Sequence, residues 1–291
     1  MDSPDFEISD FKKDENGALF LSVSDVKKNS LIDVDERFFA DIALTARKSG
    51  FYPVAMRTEN GNSGIEWVAK LNTSISNSRG AKDQQGMIAY LSVLAQQGLV
   101  KRTDLPIAYV TSGFGYNDYR GEVFRYYPRG IALYQIMAQR KIDSIKNYYR
   151  HDDDSEINLL LLIREYVKNL LELWQCGIIY FDFNEGNIII DENKVKIIDW
   201  DNNYVFWDNN WTPKDEKEKA IKLVSFIEKV LYHYHLTYEE GVFDRSSIRD
   251  LVDVLVAIDE LIEKTKSKRK SQTEGPEFDN QGSSRDSFNN H

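Results

Sequence analysis

Apolar residues recur along this chain with two different periods. Between Gly17 and Tyr127 they come in short runs separated by turn residues. Residues 51–57 and 65–71 are β-prone, and the Gly- and Asn-rich joint at 60–64 between them suits an antiparallel hairpin. Residues 82–97 read as a helix with Met87, Leu91 and Leu94 on one side. Two more strands are predicted at 107–111 and 123–127, joined by a turn at 113–121. From Ile131 the period becomes helical. Ile157, Leu160, Ile163, Val167, Leu170 and Trp174 recur at spacings of three and four, as a buried helical stripe requires, and Gly177 ends that helix. Two apolar runs follow, 188–190 and 195–198, with Asp191, Glu192 and Asn193 as the turn. Helical periodicity returns at 215–234 and 246–264. The composition of 266–291 predicts a disordered tail.

The formal charge of -10 argues against nucleic acid as a partner, because phosphate neutralisation needs a basic surface. Cys176 is the single cysteine, so no intramolecular disulfide forms and a reducing compartment is expected. The acidic first ten residues do not read as a secretory signal, and the apolar run at 159–163 is too short for a bilayer. These features predict a soluble, cytoplasmic chain without a transmembrane segment. Delivery by a specialised secretion system leaves no recognisable sign.

The chemistry concentrates between 176 and 201. A helix ends, a short loop carries Asp182 and Asn187, a strand and tight hairpin follow, and the return strand delivers Asp199. Two apolar strands thus hold three polar side chains on one platform. Phosphoryl transfer needs a carboxylate near the acceptor hydroxyl and oxygen ligands for Mg²⁺. Asp182 suits the first role, Asn187 and Asp199 the second.

The segment Tyr180-Phe-Asp-Phe-Asn-Glu-Gly-Asn187, followed by Asp199-Trp-Asp201, resembles the catalytic and metal-binding loops of the protein-kinase-like superfamily. Trp67-Val-Ala-Lys70 resembles that family's phosphate-lysine strand, and residues 123–133 look like its inter-lobe hinge. The resemblance spans roughly residues 40–260 and is specific only at 177–201. It implies an α+β, two-lobed fold, with an antiparallel sheet plus helix in the first lobe and a mainly helical second lobe. It also implies ATP and Mg²⁺ as ligands. Asp182 and Lys70 would be catalytic; Lys70, Gly50, Asn187 and Asp199 would bind nucleotide, with Asn187 and Asp199 on the metal. The corresponding division is an extension at 1–37, lobes at 38–127 and 128–265, and a tail at 266–291.

Four departures separate the chain from that pattern. Only Gly50 stands where a glycine-rich phosphate loop is expected. Gln84 and Gln85 occupy the helix positions that should offer Lys70 a glutamate, leaving Glu66 or Asp83 as alternatives. Phe181 replaces the arginine that in the family reads a phosphorylated activation loop. About sixteen residues separate Asp199 from the next helix, and no Ala-Pro-Glu motif appears. The chain therefore looks closer to sugar and small-molecule kinases, or to reduced effector kinases. The expected activity is transfer of the ATP γ-phosphate to a protein or sugar hydroxyl. The alternative is a pseudokinase that binds nucleotide or a partner without catalysis. His233 and His235, two apart on a helix, do not form a metal pair. The acidic loop at 151–154 reads as a helix cap, the basic run at 264–270 as a helix end, and Cys176 as packing.

Overall fold

The structure, a computed structural model, describes residues 11–25, 49–59, 62–72, 78–111, 119–125, 127, 129–139, 142–200, 203–207, 211–234 and 242–273. The short apolar runs of the first half form one six-stranded sheet: β1 (Lys12–Lys13), β2 (Leu19–Ser22), β3 (Ser49–Glu59), β4 (Asn62–Asn72), β5 (Ala108–Thr111) and β6 (Tyr119–Arg125). Their order is β1-β2-β5-β6-β4-β3, antiparallel throughout except that β2 runs parallel to β5. Residues 12–22, read from sequence as part of an extension, thus belong to this sheet. Period-two alternation sends Leu19 and Leu21 into a small cluster with Ala69, Val110 and Val123, while Phe20 stacks on Tyr109 at 5.6 Å.

Helix α1 (Ser78–Gln97) connects β4 to β5 and buries Met87, Ile88, Leu91 and Leu94 on one face. The fully buried Ser92 hydroxyl donates to the Ile107 carbonyl (2.6 Å) and accepts from the Leu19 N–H (3.1 Å). One side chain thereby ties α1 to β2 and to the residue that precedes β5. A buried hydroxyl is tolerated there because both its capacities are used.

The second half contains β7 (Ile131–Ala132), α2 (Leu133–Ala138), α3 (Asp143–Tyr148), α4 (Ser155–Gln175), β8 (Ile179–Tyr180), β9 (Ile188–Asp191), β10 (Lys194–Ile197), β11 (Val205–Phe206), α5 (Pro213–His233) and α6 (Leu251–Thr273). The strands form a three-stranded sheet, β10-β9-β7, and the pair β11-β8. Helix α4 is central because its predicted stripe is buried almost entirely, with Leu160, Val167 and Leu170 at or below 1% exposure. Asp154 caps its start, accepting from the N–H groups of Glu156 (2.8 Å) and Ile157 (3.3 Å). The main core runs continuously from α1 through α4 to α5 and α6. Leu170→Ala is expected to cost about 2–5 kcal/mol, read as a lower urea midpoint, because its closely packed site leaves little room to collapse.

Several boundaries differ from the sequence reading. Residues 266–273, assigned to a disordered tail, continue α6. Arg269 there pairs with Asp154 (3.3 Å) and Glu156 (2.9 Å) at the start of α4, a partner that local composition does not reveal. The same helix begins at Leu251 rather than at 246. Asp244 binds the Ser246 N–H (3.0 Å) and hydroxyl (2.6 Å) in a turn, and Asp250 caps the helix through Val252 (2.8 Å) and Asp253 (3.1 Å). The turn expected at 113–121 gives way to strand from Tyr119; residues 112–118 and 274–291 lie outside those described. The architecture is mixed α+β, with one six-stranded sheet and several helices. Among the described residues no helix is long and apolar enough to cross a membrane.

Candidate functional site

The loop bearing Asp182 is launched by the end of α4. Gly177 takes φ 82°, its N–H bonds the Trp174 carbonyl (3.0 Å), and the Ile178 N–H bonds the Leu173 carbonyl (2.9 Å). This paired closure satisfies the helix's last carbonyls and turns the chain sharply, which only glycine allows at low cost. Buried Ile178, Ile179 and Tyr180 then fix the exit path. Phe181, also buried, bonds the Tyr204 carbonyl through its N–H (2.9 Å) and packs 5.0 Å from Phe206. Lys219 of α5 lies 4.4 Å from the Phe181 ring centre, a cation–π contact.

Asp182 and Asn187 form one unit. The Asn187 amide donates to Asp182 Oδ2 at 2.7 Å, which turns its amide oxygen away from that carboxylate. Asn184 accepts from the Gly186 N–H (2.8 Å), so the intervening loop is shaped by its own side chain. The β9–β10 hairpin closes through Glu192 (φ 47°) and Asn193 (φ 66°), the left-handed pair a two-residue hairpin requires. Beyond β10, the Ile198 N–H returns to the Asn187 carbonyl (3.0 Å) and Tyr180 donates to the Ile198 carbonyl (3.0 Å). Asp199 follows with φ 63°, a conformation rare outside glycine and tolerated best by Asp and Asn.

Lys70 of β4 reaches this loop from the other half of the chain. Its Nζ lies 2.6 Å from Asp199 Oδ1 and 3.8 Å from Glu122 Oε1 on β6. The Asp199 side chain is 47% exposed, so this ion pair contributes about 0–1 kcal/mol to stability. Its geometry therefore reflects where two rigid elements bring the charges rather than a device for holding the fold.

The structure thus joins Lys70 to Asp199 and Asp182 to Asn187. Gly50 is placed differently: it lies inside β3, paired with Leu71, and not in a loop. The sequence offered only a lone glycine there, and the β-prone residues after it extend the strand back through it. Gln84 donates to the Trp200 carbonyl at 2.5 Å. Asp83 is exposed on α1, and the Glu66 side chain and Asp201 lie outside the described set. Glu122 was missed by the sequence reading. It stands among other charged residues, Arg120 and Arg125, and gains meaning only from its register opposite Lys70. At the expected hinge, Gly130 is obligatory, because a Cβ there would meet Ile189 Cγ2 at 2.6 Å and Tyr127 Cβ at 2.8 Å.

Just before β5, Thr103 and Asp104 grip the outer edge of β10. Thr103 Oγ1 accepts from the Ile197 N–H (2.9 Å), while Asp104 pairs with Lys196 (2.9 Å) and accepts from the Tyr127 hydroxyl (2.8 Å). Burial alone would raise the Asp104 carboxyl, but Lys196 and Tyr127 outweigh it and hold it below the usual range. A depressed carboxyl adds stability above its unfolded value near 3.8, lost as pH falls toward the folded one. Denaturation between pH 5 and 3 should therefore show a steeper loss for the native chain than for Asp104→Asn.

Among the described residues no group of three or more His, Cys, Asp and Glu side chains could hold a metal ion. Asn187 and Asp199 are nonetheless the kind of sparse oxygen set that suits Mg²⁺, which keeps waters and takes its other ligands from phosphates. His233 bonds the Met137 carbonyl (2.9 Å), and burial pushes the Cys176 thiol up, away from nucleophilic character. No protein-family model and no curated protein matches the chain.

Proposed function

We propose that the chain is an ATP- and Mg²⁺-dependent phosphotransferase of two-lobed, protein-kinase-like design. The β1–β6 sheet with α1 forms one lobe and the elements from β7 onward the other. The observation that carries this reading is the meeting of Lys70 and Asp199 at 2.6 Å across 129 sequence positions, in a chain whose Asp182 and Asn187 are also joined.

In this reading Lys70 holds the α- and β-phosphates, and Asn187 and Asp199 offer oxygens to the metal. A Mg²⁺ ion held there would supply neutralisation of the phosphate charge. Asp182 orients the acceptor hydroxyl, whose oxygen attacks the γ-phosphorus as the bond to the β-phosphate oxygen breaks and ADP leaves; the hydroxyl proton passes late to Asp182. Positioning and charge supply nearly all of the acceleration in such a site. The acceptor is a protein or sugar hydroxyl, and the short stretch between Asp199 and α5 favours a compact acceptor over an extended peptide.

A non-catalytic nucleotide- or partner-binding role is the second reading, favoured by glutamines on α1 and by the strand position of Gly50. Mg²⁺-dependent ATP binding and turnover, including autophosphorylation, separate the two. Turnover with sugar acceptors or a basic protein supports the first reading. Binding without turnover moves the assignment to the second, and absence of binding overturns both nucleotide readings.

A further inference from the structure

We infer that Glu122 on β6 is the positioning carboxylate for Lys70, so that a carboxylate for the lysine comes from the sheet itself. The pairing itself stands on geometry; only its use in phosphate binding rests on the phosphotransfer reading.

Lys70 and Glu122 are direct partners in the antiparallel register of β4 and β6, so their side chains share one face of the sheet. Nζ and Oε1 are 3.8 Å apart, and Glu122 is only 4% exposed. A carboxylate buried so deeply needs a cation beside it, and the lysine directly opposite supplies one. Both strands are interior to the sheet, and the ladder from Trp67–Arg125 to Leu71–Gly121 fixes their relative position. The ammonium therefore sits between a strand-borne Glu122 and a loop-borne Asp199.

Helix α1 contributes differently. Gln84 spends its amide on the Trp200 carbonyl, Gln85 is buried in the helix packing, and Asp83 is exposed. Movement of α1 would alter the backbone next to Asp199 while leaving the Lys70–Glu122 pair intact. A carboxylate for Lys70 is thus present on the sheet itself.

The test is pulse labelling of the full chain with acetic anhydride, with mass spectrometry of the Lys70 and Lys196 peptides. The amine must leave its carboxylate partners to be acylated, and Glu122→Gln removes one of the two that hold it. Glu122→Gln is therefore expected to speed Lys70 labelling several-fold, with Glu122→Asp intermediate and Gln85→Ala at the native rate. Lys196, 12% exposed, is the internal reference. Unchanged Lys70 labelling in Glu122→Gln overturns the assignment. So does an equal acceleration of Lys196, which marks general loosening, or an effect of Gln85→Ala as large as that of Glu122→Gln. Should Glu122→Gln fail to fold, Glu122→Asp decides alone, faster labelling than native supporting the pair and a native rate overturning it. ATP turnover is followed in parallel: the expected labelling order without any turnover in the native chain removes the phosphotransfer reading and leaves the Glu122 assignment standing.

Discussion

Asp199→Asn is expected to lower Mg²⁺-dependent ATP turnover by about a thousandfold while moving the thermal midpoint by only a few degrees. Asparagine is the informative replacement because Asp199 sits at φ 63°, where Asn is accommodated and alanine adds backbone strain. The variant keeps the size and removes the charge. Its stability cost is small, since the lost partner is an exposed ion pair worth about 0–1 kcal/mol, or roughly 2–4 °C in a domain of this size. Its catalytic cost is large, since a preorganised charge inside a site acts where transition-state charge develops. Steady-state turnover and a melting curve on the same preparation check both halves. Activity within tenfold of native would remove Asp199 from the machinery.

The strong helical period of 157–174 appears as α4, and even its stop signal, Gly177, performs the closure that glycine allows. The β9–β10 hairpin was equally legible, because apolar alternation and a polar turn are local properties. Asp182, Asn187 and Asp199 could be picked out because one supersecondary unit positions all three, and sequence spacing is nearly spatial spacing within such a unit. What sequence could not supply were consequences of pairing between distant segments. The parallel docking of β2 on β5 joins residues nearly ninety positions apart. Arg269 in the last turns of α6 pairs with carboxylates 113 and more positions upstream. Glu122 is invisible as a lysine partner until the β4–β6 register places it opposite Lys70. The role of the helix glutamines was equally hidden: Gln84 donates to the Trp200 carbonyl, 116 positions away, a contact that local sequence does not announce.

Asp182→Asn is expected to lower kcat by about a hundred- to a thousandfold with the ATP dissociation constant unchanged. The Asn187 amide donates to Asp182 Oδ2 at 2.7 Å, and an asparagine at 182 still offers a carbonyl oxygen to that donor. Asn187 therefore keeps its orientation, and the nucleotide and metal contacts proposed for it and Asp199 survive. What disappears is the ability to take the acceptor's proton and the charge that aligns the hydroxyl. Proton acceptance is late in a loose transition state, which places the loss in the lower part of the range seen for general bases. Asp182→Ala should behave differently. It removes the partner of the Asn187 amide as well, so nucleotide affinity falls along with kcat. Calorimetric ATP binding and steady-state rates on the two variants resolve that split. A fall in kcat with affinity retained in Asn and lost in Ala identifies Asp182 as both proton acceptor and orienter of Asn187. Equal behaviour of the two variants assigns it one role, and native kcat in both removes it from the chemistry.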